Sequence, residues 1–240
     1  MCVKSFIGKL KKISVILLFV PSTLCAQTAS LLDGSAAAAN NQTTLSLSYI
    51  HLWKLGRKEK LSIGLGGRFT SYYAANQFYI TAPAELTSGS ASPLIIFQDN
   101  IAANIDTFFI KAPQTNCINL SINFYYHFTK KIAAAFNIDA IGFSFGSSTA
   151  GTYISSSNTE VVNAKPTPFN LLLVSDNDRG SLNSEMFARY AINERWALKL
   201  GAQFLFTEYT TSYKVQQFPT ENDRFRNKSL MICVGISRSF

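Results

Sequence analysis

The chain has 240 residues, of which 47% are hydrophobic, 13% aromatic and only 15% charged. Soluble domains carry roughly 25% charged residues, so this chain is poor in charge, and its length suits one core or one barrel without calling for two domains. The net charge of +8 does not read as nucleic-acid binding: four of the 22 basic residues and none of the 14 acidic ones precede Gln27, which leaves 18 against 14.

Residues 1–26 read as a secretory signal peptide, and 27–240 as a single domain. Lys4, Lys9, Lys11 and Lys12 make a basic start, Ile13 to Val20 form a short apolar run, and Leu24-Cys25-Ala26 ends on a small residue before Gln27. A membrane helix needs about 20 apolar residues, more than this run supplies. Leu24 stands where a lipidation site at Cys25 wants a small residue, so cleavage is expected after Ala26.

Beyond the leader the recurring pattern is alternation with period two, that of a strand with two unlike faces. Residues 27–39 are poor in strand formers, yet a closed barrel with an even strand number needs a first strand there. In 43–53, Leu45, Leu47, Tyr49 and Trp53 oppose Ser46 and Ser48. In 61–73, Leu61, Ile63, Leu65 and Phe69 oppose Ser62, Arg68 and Thr70. In 118–128, Ile118, Leu120, Ile122, Phe124 and Tyr126 oppose Asn119, Ser121, Asn123, Tyr125 and His127.

Residues 132–145 begin with Ile132, Ala134, Phe136 and Ile138 opposite Asn137 and Asp139. The phase then slips, since Ile141, Phe143 and Phe145 fall on the Asp139 face, and a bulge near Ala140 accounts for it. In 183–192, Met186, Ala188 and Tyr190 oppose Glu185 and Arg189; in 195–207, Trp196, Leu198, Leu200 and Phe204 oppose Lys199 and Gln203. The last segment sets Leu230, Ile232, Val234 and Ile236 against Met231, Cys233 and Ser237.

The connections sort by length. Those at Leu55–Glu59, Thr129–Lys131 and Asn193–Glu194 are short, while those at about 74–116, 146–182 and 208–227 are long. Outer-membrane barrels place short turns in the periplasm and long loops outside. The expectation is therefore an all-β, antiparallel transmembrane β-barrel of eight strands, or of ten if 74–116 holds a further hairpin. A secreted soluble β-sandwich is the competing fold, but it would turn Arg68, His127, Asp139, Glu185, Arg189 and Lys199 to water and bury the apolar faces. A membrane barrel turns the charges into its lumen as a structural network of Arg68, Asp139, Glu185, Arg189 and Lys199. Trp53, Tyr72, Tyr73, Tyr125, Tyr126, Tyr190 and Trp196 near strand ends suit interfacial girdles.

A resemblance supports the membrane reading. The final segment SLMICVGISRSF (229–240) ends in an aromatic after alternating apolar residues, and resembles the signature that the barrel-assembly machinery recognises in outer-membrane proteins. The stretches FNIDAIGFSFG (136–146) and DNDRGSLNSEMFARYAINERW (176–196) also resemble small outer-membrane β-barrel proteins of Gram-negative bacteria. That resemblance implies a fold, residence in the cell outer membrane among its lipids, and an assembly role for Phe240. It attaches no activity.

Little in the sequence points to chemistry. The chain has two histidines, His51 and His127, both just before short turns, whereas a hydrolytic barrel needs its base at the outer rim. Asp176-Asn177-Asp178-Arg179-Gly180 departs from a calcium loop because Gly180 stands where a third oxygen ligand belongs. No cofactor or metal is expected. Cys117 and Cys233 lie in separate strands and pair only if their Cα atoms fall within about 7 Å. The apolar runs 94–97 and 169–174 either pack on each other or line a site for a hydrophobic ligand or an extracellular protein. The functional expectation is a non-enzymatic surface barrel serving envelope structure, adhesion or partner binding through the loops 74–116 and 146–182. The alternative is a narrow channel or hydrophobic-solute transporter.

Overall fold

The computed structural model describes residues 28–89, 100–173 and 177–240. The leader at 1–26, the apolar run 94–97 and Asp176 lie outside the described residues. Among the described residues thirteen strands form: β1 (Thr28–Ala39), β2 (Gln42–Leu55), β3 (Leu61–Ala74), β4 (Gln77–Thr81), β5 (Thr107–Ile110), β6 (Gln114–His127) and β7 (Ile132–Phe145). They continue with β8 (Thr149–Ile154), β9 (Thr159–Pro166), β10 (Phe169–Leu171), β11 (Leu182–Ala191), β12 (Trp196–Thr211) and β13 (Arg224–Ser239). A single helical turn, α1 (Ala84–Ser88), follows β4.

Eight of these strands close a ring of antiparallel neighbours in the order β1-β2-β3-β6-β7-β11-β12-β13 and back to β1. β1 closes it. Its composition of Ala, Ser and Gly is unfavourable, but it pairs with β2 along Thr28–Ala39 and with β13 along Leu31–Ala38. Pairing on both edges outweighs weak intrinsic propensity. A closed ring rather than two stacked sheets sets this fold apart from the competing sandwich.

The total of thirteen matches neither eight nor ten. The five extra strands come from segments read as loops. β4, β5, β8 and β9 join the upper ends of β12 and β13 in a second ring, β13-β4-β5-β8-β9-β12, of six strands. The two long strands run through both rings, which stacks the second directly on the first. The fifth, β10, fills a gap in the lower wall: β11 pairs with β7 only along Ile132–Ile138, and above that β10 takes its place against Ile141–Phe143. Short runs in long connections carry weak periodicity, so their pairing was hidden in the sequence. One connection at the long-loop rim is itself short, the two-residue turn Asn40-Asn41 between β1 and β2.

The faces of the lower ring are inverted relative to a soluble protein. Leu47 is 54% exposed, Leu120 61% and Ile232 71%, while Arg68, Asp139 and Lys199 are 2%, 0% and 3% exposed. Apolar side chains ring the outside at strand after strand, a surface far larger than water-soluble monomers tolerate. The girdle needs correction at two positions. Trp196, Tyr73, Tyr126 and Tyr190 are exposed, but Tyr72 and Tyr125 point inward and are buried. In each Tyr-Tyr pair the period-two pleat sends one ring out and its neighbour in.

The phase slip has its cause at Ala140. Leu120 pairs with Ile141 and Ser121 with Asp139, so Ala140 has no partner across β6 and forms a bulge. Its carbonyl instead accepts the Leu172 N–H at 2.8 Å. The bulge lets Asp139 face inward while Ile141 and Phe143 face outward. Deleting Ala140 reverses the face of Ile141, Phe143 and Phe145. The deleted protein is expected to lose the faster migration that a closed, detergent-stable barrel shows on an unboiled gel, whereas Ala140→Gly keeps it.

Candidate functional site

The lumen of an eight-stranded barrel is just wide enough for side chains to fill it, and here they do. At the short-turn end Leu31, Ile50, Leu52, Tyr125, Ala135 and Phe187 form one apolar cluster. Above it lie the charges. Lys199 Nζ stands 2.9 Å from Asp33 Oδ1 and 2.7 Å from Glu185 Oε2, and 4.3 Å over the Phe187 ring. Glu185 also accepts the Asn137 side-chain amide at 2.9 Å. Arg68 Nε lies 3.5 Å from Asp139 Oδ1, and Asp139 Oδ2 accepts from Asn119 at 2.8 Å and from the Asn183 N–H at 3.1 Å. A further apolar cluster of Ala37, Tyr72, Leu205, Met231 and Cys233 lies in the lumen as well.

The structure thus brings Arg68, Asp139, Glu185 and Lys199 together but leaves Arg189 out. Arg189 sits nearer the short-turn rim, where its guanidinium donates to Ser237 Oγ and Ser239 Oγ, each at 3.1 Å. It shares the inward face of β11 with Glu185, and four residues of strand carry it past the carboxylates. Asp33 takes its place. Sequence reasoning missed Asp33 because β1 showed no clear alternation, although a lone carboxylate in an otherwise small and apolar strand was a signal.

The Asp139 site continues into the wall. Asn119 accepts the Asn170 side-chain amide at 2.8 Å, and Asn170 accepts from Ser144 at 2.8 Å and from the Ser181 N–H at 2.9 Å. β10 is thereby fastened over the gap left by β11. Gly142 and Gly180 permit the close approach, since a Cβ at either would lie 2.1 or 2.2 Å from an Asn side-chain oxygen, and Gly180 also has φ of +75°. That is why glycine follows the Asp-Asn-Asp-Arg run. Asp178 turns inward and accepts the Leu173 N–H at 2.7 Å. Among the described residues no group of three or more His, Cys, Asp or Glu is placed to hold a metal ion.

The second ring has its own dry core of Tyr79, Phe108, Ile110, Tyr153, Val162, Ala164, Tyr209, Val215 and Phe225. Phe108 stacks on Phe225 at 5.3 Å and Tyr79 meets Tyr209 edge-on at 5.3 Å. Tyr153 donates to Asp106 at 2.5 Å, and burial together with that carboxylate pushes its phenol up to about 12. Glu208, fully buried in β12, is clamped by Arg224 and Arg226, each reaching it at 2.8 Å. Of the second apolar run, Phe169–Leu171 become β10, with Phe169 against Phe143 at 5.8 Å, while Leu173 is 52% exposed. Cys117 and Cys233 are buried and free. His51 lies near the short-turn rim, 3.2 Å from Ser30, and His127 ends β6 at the same rim.

No family model matches the chain, and no curated protein matches it. Solved structures overlap it in outline. Neisserial surface protein A does so at 8% identity and a TM-score of 0.35, over 89% of this chain and 96% of its own. The attachment invasion locus protein of Yersinia pestis does so at 8% identity and 0.36, over 90% and 99%. A major outer membrane protein from Thermus thermophilus does so at 9% identity and 0.38, over 89% and 100%. Overlap this loose says nothing about what the present chain binds or does.

The lumen charges are interdependent. Lys199→Met strands two buried carboxylates, and removing one partner of a buried ion pair costs about 3–5 kcal/mol. The single variant is expected to unfold at markedly lower urea. The triple variant Lys199→Met, Asp33→Asn, Glu185→Gln is expected to recover most of the loss, because no uncompensated charge remains.

Proposed function

We infer that the protein is an integral outer-membrane barrel that carries no solute and performs no catalysis, and that it holds a rigid second ring outside the membrane for contact with a partner or for envelope structure. One observation carries this reading: the segments available for surface function are built into a closed six-stranded ring standing on the two longest strands. Function on a barrel sits in its outer connections. Here the described strands of those connections are paired into a ring, and pre-ordered segments lower the ordering cost of binding.

Three further features support it. The outward apolar face suits hydrocarbon, where only closed barrels or helices satisfy their backbones. Layers of apolar and charged side chains occupy the lumen, which supports a barrel that carries no solute. Both histidines stand at the rim opposite the second ring, away from any external substrate. The terminal strand ending at Phe240 suits engagement by the barrel-assembly machinery, with its lipid-facing row Leu230, Ile232, Val234 and Ile236 exposed.

The test has two parts. In planar bilayers the purified protein is expected to give no stepwise conductance; discrete steps would favour the channel reading. An epitope inserted between Ser155 and Asn158, in the β8–β9 turn, is expected to bind antibody on intact cells. The same epitope after Arg57 is expected to bind only after the outer membrane is opened, and the reverse pattern would sink the orientation.

A further inference from the structure

Among the described residues, the short-turn rim has an excess of basic charge that the opposite end lacks. Between the β2–β3 and β6–β7 turns lies a cleft of about 550 Å³ lined by Lys54, Lys58, Lys60 and Lys130, together with Glu59, His127 and Phe128. Its one acid, Glu59, is already engaged by Lys54 at 3.1 Å. Arg57, Lys131, Arg195 and Arg238 stand exposed around the same rim, opposed by Glu194 and Glu59. The described residues from the second ring down to the long-loop rim are balanced by comparison, with seven basic and seven acidic side chains.

The cleft also has a defined depth. Phe128 is 57% exposed and follows Tyr126 on the outward row of β6, and the two rings meet edge-on at 5.0 Å. Trp53 and Trp196, the chain's two tryptophans, point outward at this same end. Such a belt marks where hydrocarbon gives way to headgroups. Lysines just beyond it are therefore at the level of lipid phosphates, which attract basic side chains beside a membrane. Lys58, Lys60 and Lys130 are solvent-exposed, and ammonium groups presented this way are suitable partners for an anionic headgroup.

We propose that this cleft is a binding site for the phosphate of an anionic phospholipid in the leaflet that meets the short-turn rim. The lipid's acyl chains lie along Tyr126 and Phe128, and its headgroup sits among Lys58, Lys60 and Lys130. The site fixes the depth and orientation of the barrel from the side opposite its second ring. This inference rests on the membrane reading above, and the experiment separates the two.

The two tryptophans are reporters at the rim itself. The full mature protein is folded into phosphatidylcholine vesicles containing an equal share of brominated phosphatidylglycerol or brominated phosphatidylcholine, and tryptophan quenching is compared at fixed ionic strength. The anionic lipid is expected to compete for the rim with an advantage of roughly fivefold or more. Lys58→Gln, Lys60→Gln, Lys130→Gln, Lys131→Gln together are expected to abolish that advantage, and Lys111→Gln with Lys165→Gln at the far end to leave it intact. Should the fourfold variant fold poorly, Lys58→Gln with Lys130→Gln is expected to reduce it by itself. Equal quenching by both lipids, an advantage that survives the rim variants, or an equal loss in the far-end variant would overturn the proposal. Loss of the advantage on adding inorganic phosphate at matched ionic strength would assign the cleft to a free anion and overturn the lipid. The heat-dependent gel shift, read on each sample, reports the barrel independently: its absence in the native protein would count against the membrane reading and not against the cleft.

Discussion

Everything in this molecule depends on closing a ring of backbone hydrogen bonds. A strand in hydrocarbon has no water to satisfy its N–H and C=O groups, so each edge must be paired by another strand. The strand that completes the circuit is β1, the least strand-like segment of the domain, with Thr28 to Ala39 against β2 and Leu31 to Ala38 against β13. Small side chains serve it well, because β1 passes close to the lumen charges and contributes Asp33 to them. Closure also fixes what the rest of the chain can do. Once β12 and β13 are held as neighbours, their upper ends offer two free edges outside the apolar band, and β4 and β9 take them.

The lumen is solved in an unusual currency for a protein core. It is layered, with apolar clusters among a charged level in which one lysine answers two carboxylates. Buried ion pairs are weak contributors to stability when set against apolar residues of equal volume, but losing one partner is costly. Such a core tolerates few registers. A one-residue slip of β1, β3, β7, β11 or β12 would carry a charge to the outward face and an outward-facing side chain to the lumen. The arrangement therefore specifies pairing as well as filling space. The bulge at Ala140 is part of the same specification, since it seats Asp139 against Arg68 and Asn119 while keeping Phe143 outside.

The two ends of the barrel are built for different surroundings. The long-loop end continues into a ring with its own aromatic core, so its outer surface is held by side chains packed from six strands. The short-turn end has little beyond its turns, and those turns carry lysine and arginine in excess over acid. An apolar band between an end that bears the second ring and a compact, basic one distinguishes the two sides of whatever layer the band occupies.

The sequence by itself determined the strands that face two environments along their whole length. In β3, β6, β12 and β13 the alternation is long, and the polar set is confined to one face, so their existence and their inward residues Arg68 and Lys199 were readable. The slip at Ala140 was readable for the same reason. Tertiary structure decided the rest. β1 owes its existence to two neighbours distant in sequence. Asp33 enters the charge cluster because β1 has a place in the ring, and Arg189 leaves it because four residues along β11 carry it toward the rim. β4, β5, β8, β9 and β10 are three to eight residues long, too short for a period to stand out. β4, β9 and β10 become strands where the edges of β13, β12 and β7 offer unpaired hydrogen-bonding groups, and β5 and β8 close the second ring between β4 and β9. Local pattern records which face of a strand meets lipid or lumen, but a ladder needs two chains, and the second chain is found only in the fold.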